Sequence, residues 1–375
     1  MSVIMIIGVL PESLINFRGE LIRELASRGH AVHACAGFAS NATLKKIEDL
    51  GASFRSFNVS RAGMNPLADL RTLLELRSLL RKVRPDVIMT YTIKPTIWGG
   101  IALRSIRSKA RLVCLITGIG MTMENAPTGW RRLLRRLVRT LYRSALTRST
   151  LAVFQNQDDL RTFVEAGLIS KPRCRIVDGS GVNLERFRQQ RFPAAPPFIF
   201  LTVARLLRAK GLRELAHAAA EVKRWRPDIV VRLVGPRDSS PDRIPDSELD
   251  DWIKNSIIEY GGESTDVANE LRQCLVFVLP SYHEGIPRTV IEAMATGRAI
   301  ITTDAPGCRE TVVDGHNGYL IPVHDHITLA HRMIQLAGDK PLCEKMGIHS
   351  RRIAEDRFDV KLVNREMLKL IEGDV

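Results

Sequence analysis

Short apolar runs alternate with segments of helical spacing along almost the whole of this 375-residue chain, and that alternation leaves few folds open. Runs at Val3–Val9, Ala31–Ala36, Val87–Thr90, Arg111–Ile116, Leu151–Gln155 and Cys174–Val177 have the length and β-branched content of buried strands. Between them, helical spacing covers Leu14–Arg28, closed by Gly29, then about 41–50, 66–83, 95–106 and 129–148, and Gln157–Ala166. Strands that reach one another only through helices cannot close as hairpins. They pair in parallel and form a doubly wound α/β sheet.

The pattern breaks at the proline-rich stretch Arg191-Phe192-Pro193-Ala194-Ala195-Pro196-Pro197 and then restarts. Strand Phe198–Val203, helix Gly211–Trp225, strand Val230–Val234, a helix near 247–255, a strand at 256–259, a helix at 264–272 and strand Leu275–Leu279 follow in order. Long helices are expected at 326–336 and 340–356, and a last one over Val360–Ile371. The length suffices for two α/β domains with separate cores. The domains expected are 1–192 and 193–355, followed by a C-terminal segment, 356–375.

Charge separates the halves. Residues 1–195 hold 31 Lys and Arg against 14 Asp and Glu, whereas the remainder holds 24 against 27, so the net +14 comes wholly from the first half. It is densest at 130–143, with apolar residues at 130, 133, 134, 137, 138, 141 and 142 and arginines at 131, 132, 135, 136, 139 and 143. Such a basic amphipathic helix suits a packed helix with a solvated face, a nucleic-acid contact or an anionic membrane surface. A zinc-finger, helix-turn-helix or RNA-binding signature is missing, so no nucleic-acid partner is expected. Anionic lipid attracts each nearby Arg by about 1 kcal/mol, which favours the membrane surface.

No apolar run approaches the ~20 residues of a membrane span, and Met1–Gly8 reads as a first strand, not a signal peptide. The six cysteines form no C-x-x-C pair and suit reduced thiols in a cytoplasmic protein.

The chemistry concentrates after the Leu275–Leu279 strand. Pro280 ends it, and Ser-Tyr-His-Glu-Gly-Ile-Pro-Arg-Thr-Val-Ile-Glu, 281–292, carries Glu284 in a strand-to-helix loop and Glu292 about two turns into the next helix. Ile286, Pro287, Arg288 and Thr289 lie at the helix start, where unpaired N–H groups and the helix dipole favour an anion. Gly285 lets the loop approach a ligand without a side chain. Two acids beside an anion site suit a ligand with both hydroxyls and phosphates, as a nucleotide sugar has. Arg205 and Lys210 follow strand 198–203 at its carboxyl end, where open α/β sheets bind ligands, and could clamp a diphosphate.

The string Pro-Ser-x-x-Glu-Gly-x-Pro-x-x-x-x-Glu-Ala-Met-Ala-x-Gly from Pro280, followed by Ile300-Ile301-Thr302-Thr303 and Gly315-His316-Asn317-Gly318, closely resembles the donor-binding signature of family 4 retaining glycosyltransferases. The resemblance implies the GT-B fold, two Rossmann-like domains facing across a cleft, with the C-terminal helix crossing back to the first. It further implies that Arg205 and Lys210 hold the donor diphosphate, that Glu284 steadies the donor sugar and the charge developing at its anomeric carbon, and that Glu292 accepts the ribose hydroxyls. Gly235 and Arg237, in the turn after strand 230–234, would line the nucleoside pocket. The chain has no Asp-x-Asp, so no metal or other cofactor is expected and the leaving group falls to the two cations and the helix dipole.

In the first half, Asn16-Phe17-Arg18 lies just past the first strand, where an acceptor-side loop would face the cleft, with Thr90–Pro95 and Thr117–Gly120 at the ends of two others. Together they resemble the subgroup that extends polyprenyl-diphosphate-linked sugars for O-antigens, capsules, exopolysaccharides and glycan transfer. Asn16, Lys94, Thr117 and Gly118 would then meet the acceptor, Lys94 at a phosphate. Neither of the last two loops carries a His, so no general base is assigned. The reading is a cytoplasmic enzyme, peripheral at the inner face of the plasma membrane, that moves a hexose or N-acetylhexosamine from a UDP-sugar to a lipid-linked saccharide. A UDP-sugar 2-epimerase of the same fold and a non-catalytic nucleotide-sugar-binding subunit are the alternatives.

Overall fold

The computed structural model describes residues 1–60, 65–118, 129–146, 150–193 and 196–373, which fall into two compact units. One comprises Met1–Ser180 with the residues from Asn364 onward, and the other Gly181–Val363. Each is built on one parallel sheet.

In the first unit the strands are β1 (Val3–Ile7), β2 (Ala31–Ala36), β3 (Ala52–Ser56), β4 (Val87–Tyr91), β5 (Arg111–Ile116), β6 (Thr150–Phe154) and β7 (Cys174–Ile176). They lie in the order β3-β2-β1-β4-β5-β6-β7. Successive side chains serve opposite faces, as strand geometry requires. Met5 and Ile7 enter one core with Ile88, Leu112 and Cys114, while Ile4 and Ile6 enter the other with Met89 and Val113. The end of the helix Val360–Glu372 joins the second of these cores through Met367, Leu368 and Ile371. Arg111 fastens that end by donating to the carbonyls of Leu370 (3.0 Å) and Ile371 (3.2 Å).

The second unit contains β8 (Ile199–Val203), β9 (Val230–Val234), β10 (Glu259–Tyr260), β11 (Val276–Leu279), β12 (Ala299–Thr303) and β13 (Gly318–Ile321), ordered β10-β9-β8-β11-β12-β13. In each sheet the order reverses beside the first strand, at β1/β4 and at β8/β11. Those are the topological switch points, where loops leaving the carboxyl ends diverge and open a crevice.

Three sequence expectations change. The 256–259 strand is reduced to Glu259–Tyr260 at the sheet edge. The division between units falls at Ser180/Gly181 and not in the 191–197 stretch, because Val182 and Phe187 already pack with Ile199 and Leu201 in the second unit. The basic helix runs Trp130–Ala145, and its apolar stripe is only partly covered. Val138, Tyr142 and Ala145 are buried, Tyr142 edge-on to Phe163 at 5.1 Å, while Leu133 and Leu137 are 71% and 54% exposed beside exposed Arg132 and Arg136. The side chains of Trp130 and Arg131 lie outside the described residues.

Arg298 anchors the proline-rich stretch. It is fully buried and donates to the carbonyls of Leu271 (2.9 Å), Arg272 (3.1 Å), Gln190 and Arg191 (both 3.4 Å), with its guanidinium 4.9 Å from the Phe192 ring centroid. Arg298→Met would remove all four donations from a fully buried position. It is expected to lower unfolding stability by about 3 kcal/mol in urea titrations.

Candidate active site

Lys210 and Glu284 leave adjacent strands, β8 and β11, at the switch point of the second unit. Two loops that far apart in sequence need fastening, and the backbone supplies it. The Ala209 carbonyl accepts from the Tyr282 N–H (2.9 Å) and from the Ser281 hydroxyl (3.1 Å). Gly211, at φ 67°, lies so near β11 that a Cβ would stand 2.0 Å from the Pro280 carbonyl oxygen. This close approach brings the Lys210 ammonium against the Glu284 carboxylate, both half-buried. From the other side, the Glu284 N–H donates to the Pro306 carbonyl (2.9 Å), and Gly307 packs on the 284–285 backbone where any Cβ would collide.

Pro287 caps the eight-residue helix Arg288–Ala295, and its carbonyl accepts from Val290 and Ile291. Glu292 is the fifth residue of that helix, just over one turn in and not two. It is 7% exposed, and Arg288 one turn earlier donates to it through Nε at 2.9 Å. Burial pushes the Glu292 carboxyl above the usual carboxylate range, opposed by the charges of Arg288 and Arg186. A buried carboxylate with one cation partner retains acceptor capacity, which vicinal hydroxyls could fill.

The other donor-side residues are less gathered. Arg205 is 44% exposed and pairs with Asp238 at 3.0 Å. Burial would raise the Asp238 carboxyl, but the Ser240 N–H and Arg205 outweigh it and hold the group low. Gly235 is fixed at φ 151°, a Cβ there lying 1.8 Å from the Ala204 carbonyl oxygen, so this turn abuts the start of the Arg205 loop. Arg237 points to Asp246 and to Asp250 (3.2 Å), with Tyr260 beneath it at 5.7 Å.

The first unit corrects one expectation and qualifies another. Asn16 is exposed but lies on the helix Pro11–Ser27, as the Leu14–Arg28 spacing implies, and not in an acceptor-side loop. Arg18 is buried with its guanidinium 5.4 Å from the Tyr91 ring centroid. Lys94 occupies the first turn of the helix Ile93–Ser105, and its ammonium is taken up by Asp69 (2.8 Å) and the Ser60 hydroxyl (2.7 Å). A phosphate there would have to displace Asp69. Thr117 and Gly118 are half-buried past β5, and Ile119 and Gly120 lie outside the described residues.

Sequence reasoning missed Glu214, Tyr282 and His324. The Tyr282 hydroxyl donates to Glu214 Oε2 at 2.7 Å, and its ring lies 4.0 Å from that of His324, tilted by 52°. Tyr282 lay within the 281–292 string and Glu214 four residues past Lys210, but nothing in the sequence joined either to His324.

Solved structures share this architecture. Anabaena HepE in complex with UDP-glucose aligns with a TM-score of 0.79 over 100% of both chains at 19% identity. WaaG, a glycosyltransferase involved in lipopolysaccharide biosynthesis, aligns at 0.77 over 99% of this chain and 100% of its own at 14% identity. The paired doubly wound units are thus those of the GT-B class. Two family models divide the chain between them: a glycosyl transferase 4-like domain over residues 16–178 and glycosyl transferases group 1 over 184–353. The chain belongs to these group 1, family 4-like glycosyltransferases and is a transferase of hexosyl or N-acetylhexosaminyl units.

Among curated relatives, the N,N'-diacetylbacillosaminyl-diphospho-undecaprenol α-1,3-N-acetylgalactosaminyltransferase of Campylobacter jejuni is 26% identical over 96% of each chain. The UDP-Gal:α-D-GlcNAc-diphosphoundecaprenol α-1,3-galactosyltransferase of Escherichia coli is 25% identical over 74% of this chain and 72% of its own. Glycosyl transfer is accordingly favoured over the epimerase and the non-catalytic subunit.

Glu292 permits a test that separates binding from folding. Its folded-state pKa lies above the unfolded value, so in the free protein its ionisation costs stability as pH rises through the folded pKa. Glu292→Gln should therefore leave the melting temperature at pH 7 unchanged or raised. The same variant should weaken nucleotide binding by about tenfold or more through loss of charge-assisted hydrogen bonds. Melting curves and calorimetric titration read the two effects separately.

Proposed function

We propose that this glycosyltransferase moves a hexose or N-acetylhexosamine, with retention, from a UDP-sugar to a polyprenyl-diphosphate-linked saccharide in cell-surface polysaccharide assembly. The observation that carries the donor half is the Lys210–Glu284 contact at the β8/β11 switch point, with Glu292 buried behind the adjoining helix start. On diphosphate binding Lys210 exchanges its carboxylate partner for phosphate, and Arg205 adds a second cation from its exposed pair. Glu284, released from Lys210, then faces the donor sugar and opposes the positive charge that develops at the anomeric carbon. Glu292 accepts the ribose hydroxyls. The departing phosphate itself can take the acceptor proton, so the mechanism requires no separate base.

The acceptor half rests on the two relatives whose names specify diphospho-undecaprenol substrates and α-1,3 products. Sugars on UDP are commonly α-linked, so α products fit retention. The basic helix suits the membrane that such an acceptor occupies. Its Leu133 and Leu137 stand exposed among arginines and could enter the interface of an anionic bilayer at the inner face of the plasma membrane. Among the described residues no helix is long and apolar enough to cross a membrane, so attachment would be peripheral.

The test incubates purified protein with bacterial membranes and radiolabelled UDP-, GDP- and ADP-sugars and counts label in the organic-soluble lipid. Transfer from one UDP-sugar is expected, reduced by about 10²–10³ in Glu284→Ala. Donor breakdown without lipid label would contradict the acceptor assignment. Sedimentation with anionic phospholipid vesicles tests the helix: Leu133→Ser with Leu137→Ser should lower binding about a hundredfold, since burying each leucine contributes roughly 1.5 kcal/mol. The melting temperature should not change, because neither side chain serves the core.

A further inference from the structure

His324 occupies a backbone position that ordinarily suits glycine. It follows β13 in the turn before the helix His326–Gly338, with φ at 62°, a left-handed conformation in which a side chain is strained. Its imidazole is 63% exposed, so burial does not explain its presence. What it does have is contact. Its ring lies 4.0 Å from that of Tyr282, and Nδ1 is 3.4 Å from Glu214 Oε1. The other oxygen of Glu214 accepts from the Tyr282 hydroxyl at 2.7 Å. Burial, then the bond to Glu214, pushes the Tyr282 phenol up, so it remains a hydrogen-bond donor at working pH.

Each member of this cluster belongs to a different loop or helix start at the carboxyl edge of the second sheet. Glu214 is in the first turn of the helix Leu212–Trp225, directly after Lys210 and Gly211. Tyr282 is two residues before Glu284, and its N–H is already bonded to Ala209. His324 comes from the far side, after β13. The cluster thus spans the segments that follow β8, β11 and β13, two of which carry Lys210 and Glu284.

We propose that Tyr282, Glu214 and His324 form a brace that positions Lys210 and Glu284 for the donor diphosphate and sugar. None of the three needs to touch the donor; they act through the spacing of the two loops. The Glu214 carboxylate holds the phenol, and the imidazole closes over the phenol ring and limits the movement of 281–284 away from 209–211. The strain at His324 is retained because glycine could not make these contacts. This inference rests on the roles given above to Lys210 and Glu284.

The experiment compares the wild type with His324→Gly, His324→Asn, Tyr282→Phe and Lys210→Ala in melting temperature and in calorimetric titration with UDP, GDP and ADP. Glycine relieves the left-handed strain, so His324→Gly should keep or raise the melting temperature while weakening the best-bound nucleotide about three- to tenfold. Tyr282→Phe keeps the ring and loses the hydroxyl, and should weaken the same nucleotide by a similar factor. His324→Asn tolerates the left-handed backbone and can donate to Glu214, so it should recover most of the affinity. Unchanged affinity in both His324→Gly and Tyr282→Phe would overturn the brace. So would a His324→Gly protein with a lowered melting temperature and intact affinity, the signature of a merely structural contact. Lys210→Ala separates the two claims: if it binds nucleotide normally, the role of Lys210 has failed. If it loses affinity while the brace variants do not, only the brace has failed.

Discussion

One carbonyl oxygen, that of Ala209, accepts both the backbone N–H of Tyr282 and the hydroxyl of Ser281, and the proposed donor site is arranged around that junction. The strands β8 and β11 pair in parallel, so their carboxyl ends lie side by side whatever the loops contain. The loops decide what happens beyond the sheet. Without a tie, Lys210 and Glu284 would occupy two exposed segments free to diverge, and an ion pair between mobile groups contributes little. With it, a cation and a carboxylate are held at one point beside a helix start. Gly211 and Gly307 permit the close approach from either side, each where a Cβ would meet backbone.

The same junction makes sense of the electrostatics. The second unit does not have the positive excess of the first half of the chain, yet on the proposed reading it holds a dianionic diphosphate. Local placement does the work: Lys210, Arg205 and the amide-rich helix start supply positive potential at one edge. Each cation rests on a carboxylate in the free protein, Lys210 on Glu284 and Arg205 on Asp238. Such pairs keep the cations oriented and can be exchanged for phosphate at little net cost where solvent still reaches them. Glu292 differs. It is buried with a raised pKa and so costs stability in the free protein, which is the usual mark of a group retained for binding.

Much of this was legible in the sequence because parallel strands buried on both faces are written as apolar runs. Ala31–Ala36 and Arg111–Ile116 match their expected bounds for that reason. Ala52–Ser56 was not expected, since an edge strand reading Ala-Ser-Phe-Arg-Ser is mostly solvated and has no such run. Gly318–Ile321 was hidden by its glycine, which is there to let the backbone pass close to Ile300. The Glu284–Glu292 spacing was visible as a local pattern. The brace was not, because Glu214, Tyr282 and His324 are joined only by the fold and none lies in a motif with the others.

A crystal structure of the protein with UDP bound would test the central claim most directly. The diphosphate should lie at the β8/β11 edge with an oxygen about 3 Å from Lys210 Nζ, Glu284 released from Lys210, and the ribose hydroxyls on Glu292. A diphosphate bound elsewhere, with Lys210 still paired to Glu284, would contradict it.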